Sequence, residues 1–218
     1  MDVCQRLSHG LHLLEVSLRN QVHGAFTEAF STPCWYELPG LFAYPQRNQI
    51  AKVKGQLCVL KRSDKPDRIV SELTLGFWVG IFSRAHEHSL WRNRLHMLST
   101  IFPCAPRHRR TRASIHQALG RLRVLRNRIA HCERINHLGG LPDHRAEIHQ
   151  MVGWLNRSAK RLLEECDRFD SARAACDLHE AREKAGACFS FDEIGVDPEQ
   201  KKASRNREAL GHHCQPAA

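Results

Sequence analysis

The chain has 218 residues, enough for one domain with its own hydrophobic core, and carries a formal charge of +10. Its nine cysteines are odd in number and nowhere closer than ten residues apart, which excludes a CxxC-based zinc site and reads as free thiols in a reducing compartment. No run of eighteen apolar residues occurs, and "MDVCQRLSHG" lacks a charged-then-apolar leader, so the expectation is a cytoplasmic protein with no membrane span.

The predicted elements are helical throughout. Leu7, Leu11, Leu14, Leu18, Val22, Ala25 and Ala29 recur at spacings of three and four, the mark of an amphipathic first helix running to "STPCW". Pro33, Pro39, Gly40 and Pro45 then punctuate a loop holding Trp35 and Tyr36, and helical spacing resumes from Gln46 until "SDKPD" breaks it. Residues 67–85 are the most apolar segment, with Ile69, Leu73, Phe77 and Ile81 four apart, and are expected to form one central core helix. Thr74 and Val79 leave a strand open there. A shorter helix from Trp91 to Phe102 ends at "PCAP", and a long one runs from about Arg112 to Ile135. After "NHLGGLPDH", Ile148, Val152, Leu155, Ala159 and Leu162 predict a final helix reaching about Ala185. From Gly186 the composition turns polar, as in a poorly ordered tail. The sum is an all-α bundle of five or six helices over residues 1–185, with a tail over 186–218.

The positive charge is concentrated. From His88 to Cys132 there is no acidic residue, while Arg92, Arg94, Arg107, Arg109, Arg110, Arg112, Arg121, Arg123, Arg126 and Arg128 all lie there. Of 33 basic residues these ten account for the whole excess, since the remaining 23 balance 23 acids. A one-sign stretch attracts polyanions, nucleic acid first among them, and arginine suits bidentate phosphate contacts. A solvated basic face with no partner is the plainer alternative.

Within that stretch, "LRNRIAHCERI" (125–135) sets Arg126, Asn127 and His131 into a helix whose Ile115, Ala118, Leu119, Leu122, Leu125 and Ile129 share one face. Asn127 and His131, four apart, project together from another face beside Arg123 and Gly120. Arg126 falls at the margin of the apolar stripe, where it must reach out along its stem or meet an anion. Spacing alone admits two readings: a ligand site, or a snorkelling arginine and a helix-end histidine favoured by the dipole.

The Arg126-x4-His131 spacing with Asn127 matches the signature of HEPN domains, and "LRNRIAHCERI" resembles the corresponding segment of the Abi-like abortive-infection proteins. "LLEVSLRNQV" (13–22) and "SELTLGFWVGIF" (71–82) resemble the first and middle conserved helices of that family, although Cys132 stands where a second histidine often follows. The resemblance implies an all-α HEPN-like fold, a homodimer with two motifs facing each other, and metal-independent RNA cleavage without a cofactor. In that reading His131 moves a proton of the ribose 2′-hydroxyl or the leaving oxygen, Arg126 stabilises charge on the phosphoryl oxygens, and Asn127 orients water, phosphate or the imidazole. Arg123 and Arg128 would contact RNA, with Arg19 and Asn20 at the rim. Glu15, one turn before Arg19, is its expected ion-pair partner, a purely structural pair being the plainer reading. The biological setting implied is phage defence or a toxin, with an antitoxin or another defence protein as further partner. The alternative is a helical module that binds RNA or serves as a scaffold without cleaving.

Two histidine groups look superficially like metal clusters. His86 and His88 would point about 200° apart on a helix, and "GHHC" (211–214) lacks a ligand spacing that closes a site, so both are expected to be solvated. Trp35, Tyr36, Trp78 and Trp91 are potential base-stacking groups, Trp78 being the one most suited to the core.

Overall fold

The computed structural model describes residues 3–131, 133 and 140–187, and among these it contains nine α-helices and no strand. Residues Met1–Arg173 form one compact unit; the remainder, from Ala174, groups separately. The first helix, α1 (Val3–Phe30), is the axis of the compact unit and buries Leu7, Leu11, Leu14, Leu18, Val22, Ala25 and Phe26. It packs on six later helices, α3 to α8: Pro66–Glu72, Leu75–Gly80, Met97–Ile101, Arg112–Ala130, Leu141–Leu155 and Arg157–Cys166. Its stripe closes on Phe26 and not on Ala29, which is exposed. Ser31 then takes the left-handed position (φ 53°) that ends helices, and Pro33 follows. Gly10 sits where α7 crosses: a Cβ there would stand 2.9 Å from Ile148 Cγ2, so the missing side chain sets how closely the two helices approach.

The loop after α1 is part of the core. Trp35 and Tyr36 lie in a 3-10 turn (Trp35–Glu37) and are buried, Trp35 making edge contacts with Phe26, Phe42, Tyr36 and Trp78. The Trp35 indole N–H donates to His23 Nδ1 at 3.0 Å, which satisfies the one polar atom such a ring brings inside. Helix α2 (Tyr44–Val59) starts with Pro45 in its first turn and buries Ile50, Val53 and Leu57.

Three segments expected to be single helices are broken. Residues 67–85 form α3 and α4, separated by extended Leu73 and Thr74, and the strand left open there does not form. The cause is burial on every side: Leu73, Leu75, Phe77, Trp78, Val79, Ile81 and Phe82 are all inside, more than one straight helix can hide against one neighbour. The break frees the Leu73 carbonyl, which accepts from Trp78 Nε1 at 3.2 Å. Next, the 84–101 region is a 3-10 turn (Arg84–His86), a π turn (Glu87–Trp91) and the short α5, with the Trp91 indole donating to the Ile81 carbonyl at 2.7 Å. The last predicted helix is three: α7, α8 and α9 (Phe169–Ala187). Asn156, extended at φ −157° and ψ 120°, stops α7 and caps α8 by accepting the Ser158 and Ala159 N–H groups. That break moves the register, so Leu163 is buried and Leu162 is 55% exposed. The tail from residue 188 lies outside the described residues.

Candidate functional site

Helix α6 presents two faces. Ile115, Ala118, Leu119, Leu122 and Leu125 are buried, with Ile129 half-buried at the end of the stripe. Thr111 begins the helix by accepting the Ser114 N–H at 3.1 Å. At its other end, Arg123, Arg126, Asn127 and His131 are exposed, and among the described residues no hydrogen bond or ion pair engages their side chains. His131 is the C-cap residue, its backbone N–H bonded to the Asn127 carbonyl at 3.0 Å. An imidazole and arginines at the negative end of a helix dipole are favourably placed. Asn127 and His131, one helical turn apart, occupy the same strip as Gly120 and Arg123. Gly120 has open space before it and Val124 is 50% exposed, so this strip has no cover among the described residues.

Not all the arginines of the stretch face solvent. Arg112 turns inward, donating to the Phe82 carbonyl at 2.7 Å and pairing with Glu87. Arg121 forks onto Glu147 of α7, and Arg94 lies over the Phe30 ring at 4.8 Å. Arg128 is half-buried and stands 3.9 Å from Glu133, so it is less open than Arg123 or Arg126. Arg92, Arg107 and Arg109 are exposed.

The rim residues of α1 divide. Asn20 is exposed, but Arg19 is half-buried and donates to the Ser71 carbonyl of α3 at 3.3 Å. Its expected partner Glu15 makes no ion pair with it; the guanidinium is used to join α1 to α3. Sequence spacing could not choose between these because the competing acceptor is 52 residues away.

One residue on the α6 strip went unnoticed in the sequence. His116, seven positions before Arg123, is half-buried, and burial together with the charges of Arg112 and Arg123 pushes its pKa below the usual histidine value. Its spacing from Arg123 was the available signal.

Other candidates change role. His86 is fully buried, contrary to the solvated expectation, and its Nε2 accepts the Ala43 N–H at 3.2 Å. Its proton therefore sits on Nδ1, which faces Ser83 Oγ at 3.3 Å, and burial pushes its pKa down against an opposing hydrogen bond with Gly80. His88 is exposed. Trp35, Tyr36, Trp78 and Trp91 are all buried and unavailable for base stacking. Cys34, Cys58, Cys104 and Cys166 are free thiols, and among the described residues no group of three or more His, Cys, Asp or Glu side chains could hold a metal ion. Cys132 and the 211–214 histidines lie outside the described residues.

The class this defines is an all-helical protein in which no described helix is long and apolar enough to cross a membrane. No family model, curated protein or solved structure gives a significant match to the chain.

Proposed function

We propose that the protein is a metal-independent endoribonuclease of the HEPN class whose site is the exposed end of α6. The observation that carries this reading is the joint exposure of Arg126, Asn127 and His131 on a helix whose other face is buried. A guanidinium, an amide and an imidazole offered together to solvent can supply the proton transfer and charge stabilisation used when a ribose 2′-oxygen attacks phosphorus, the 2′-O–P bond forming as the P–O5′ bond breaks. His131 moves the proton, Arg126 holds the charge that builds on the non-bridging oxygens, and Asn127 positions one or the other. Arg123 adds a phosphate contact on the same strip, Arg128 follows it on α6, Asn20 is open to solvent on α1 for a further RNA contact, and Arg19 is reserved for the fold.

The site residues are exposed, which favours completion by a second copy. The open strip around Gly120 and Val124 supplies a surface for a twin helix, and a homodimer would bring two motifs to one scissile bond. Phage defence or toxicity, with an antitoxin or another defence protein as partner, is the setting this activity suits. The test is incubation of the purified protein with single-stranded RNA in excess chelator, beside the same sequence as DNA. Cleavage of RNA alone is expected. Binding of RNA without cleavage would leave a non-catalytic RNA-binding module, and indifference to RNA would overturn both.

A further inference from the structure

A crevice unrelated to the α6 end lies where the first turns of α1 meet α7 and the corner between α8 and α9. It is ringed by Arg6, His9, Arg145, His149, Asp167 and Arg168, over an apolar floor that includes Ile148 and Leu163. Asp167 is the sole carboxylate among its lining residues, and it is fully engaged. Its Oδ1 accepts the Phe169 N–H at 2.8 Å, and its Oδ2 accepts from Arg145 Nε at 2.6 Å and from His149 Nε2 at 2.8 Å. Arg145 is engaged as well, donating to Asp170 and lying over the Phe169 ring at 5.2 Å.

Arg6 is left over. Its Nε is buried with no hydrogen-bond partner, an arrangement that costs free energy and is relieved by an acceptor. Among the described residues Arg168 donates to the backbone carbonyls of Glu165 and Asp167 and makes no ion pair, so its charge is not neutralised by the Asp167 carboxylate. The free volume is about 40 Å³. One water needs roughly 10–15 Å³ of such space, so the cavity suits one small oxyanion and not a nucleotide.

We propose that this crevice binds a small oxyanion, a carboxylate or a phosphate group, with Arg6 as the principal donor and Arg168 as the flanking charge. The Asp167 network positions the corner around it: by holding Arg145 and His149, the carboxylate keeps the α8–α9 turn against α7 and leaves the Arg6 side as the anion's place. The His149 Nε2 proton is committed to Asp167, which leaves Nδ1 of the neutral ring an acceptor, so the donors to an oxyanion are the arginines. None of this uses the α6 residues.

The full chain is titrated calorimetrically with inorganic phosphate and, separately, with acetate, chloride being exchanged out to hold ionic strength constant. Saturation at one site by either anion, weakened about tenfold or more in Arg6→Met and unchanged in Lys52→Met on α2, is the expected result. Phosphate alone saturating would identify a phosphate ligand, and acetate alone a carboxylate. No saturation with either, or equal loss in both variants, would overturn the proposal. Should Arg6→Met not fold, the His9 and His149 imidazole resonances of the wild type decide: movement that saturates with the anion supports the site, and indifference refutes it.

Discussion

His131 and His86 illustrate how position decides what an imidazole does. His131 ends a helix in solvent, so His131→Ala should cost less than about 1 kcal/mol of stability while removing about 10² to 10⁴ of the RNA cleavage rate. Thermal melts and single-turnover cleavage of the two proteins check both halves. Arg126→Ala should also stop cleavage, and should lower RNA affinity modestly because a phosphate contact goes with it. His86 is held neutral inside the fold, where its Nε2 must remain an acceptor for Ala43. Its folded pKa is pushed below the ordinary value of 6.5, so between the two pKa values the unfolded chain binds the extra proton. Stability from His86 is complete above about pH 6.5 and is lost as pH falls through the folded pKa. The melting temperature should therefore drop below that pH, and the slope should shrink in His86→Gln; an unchanged slope would show that other groups carry it.

At the scale of elements, the informative features are the breaks. Asn156→Ala removes the side-chain acceptor for two N–H groups at the start of α8 and should cost about 0.5–2 kcal/mol, measured by urea unfolding. A loss near zero would mean that packing alone sets that corner. The amphipathic helices were readable from spacing: α1 and α6 bury the stripes the sequence draws as far as Ala25 and Leu125, and α2 forms where helical spacing resumes. The apolar 67–85 segment was not, because periodicity carries no signal when nearly every side is buried and α3 and α4 can be told apart only by their surroundings. The α7–α8–α9 breaks were missed for a different reason. Asn156 and Asp167 act through local side-chain bonds to N–H groups two or three residues on, and a polar residue in a helical pattern does not announce that role.

For the whole molecule, charge proved a coarse guide. Ten arginines in one stretch suggested a continuous basic face, yet Arg112 and Arg121 serve as tertiary ties, and the open positive positions are fewer. That Asn127 and His131 share an exposed strip was legible because helical geometry fixes which side chains lie together, whereas their candidacy as a site came from the resemblance of the motif. The Arg6–Asp167 crevice was not, since it joins α1 to residues about 160 positions later. If two copies share the site, sedimentation at micromolar concentration should show a dimer, and a charge placed at Val124, as in Val124→Glu, should dissociate it and reduce cleavage together. The most direct measurement is cleavage of one RNA in excess chelator by the wild type, His131→Ala and Arg126→Ala, with all three shown to be folded. The account predicts cutting by the wild type alone, with RNA still bound by His131→Ala. Full activity in His131→Ala would contradict it.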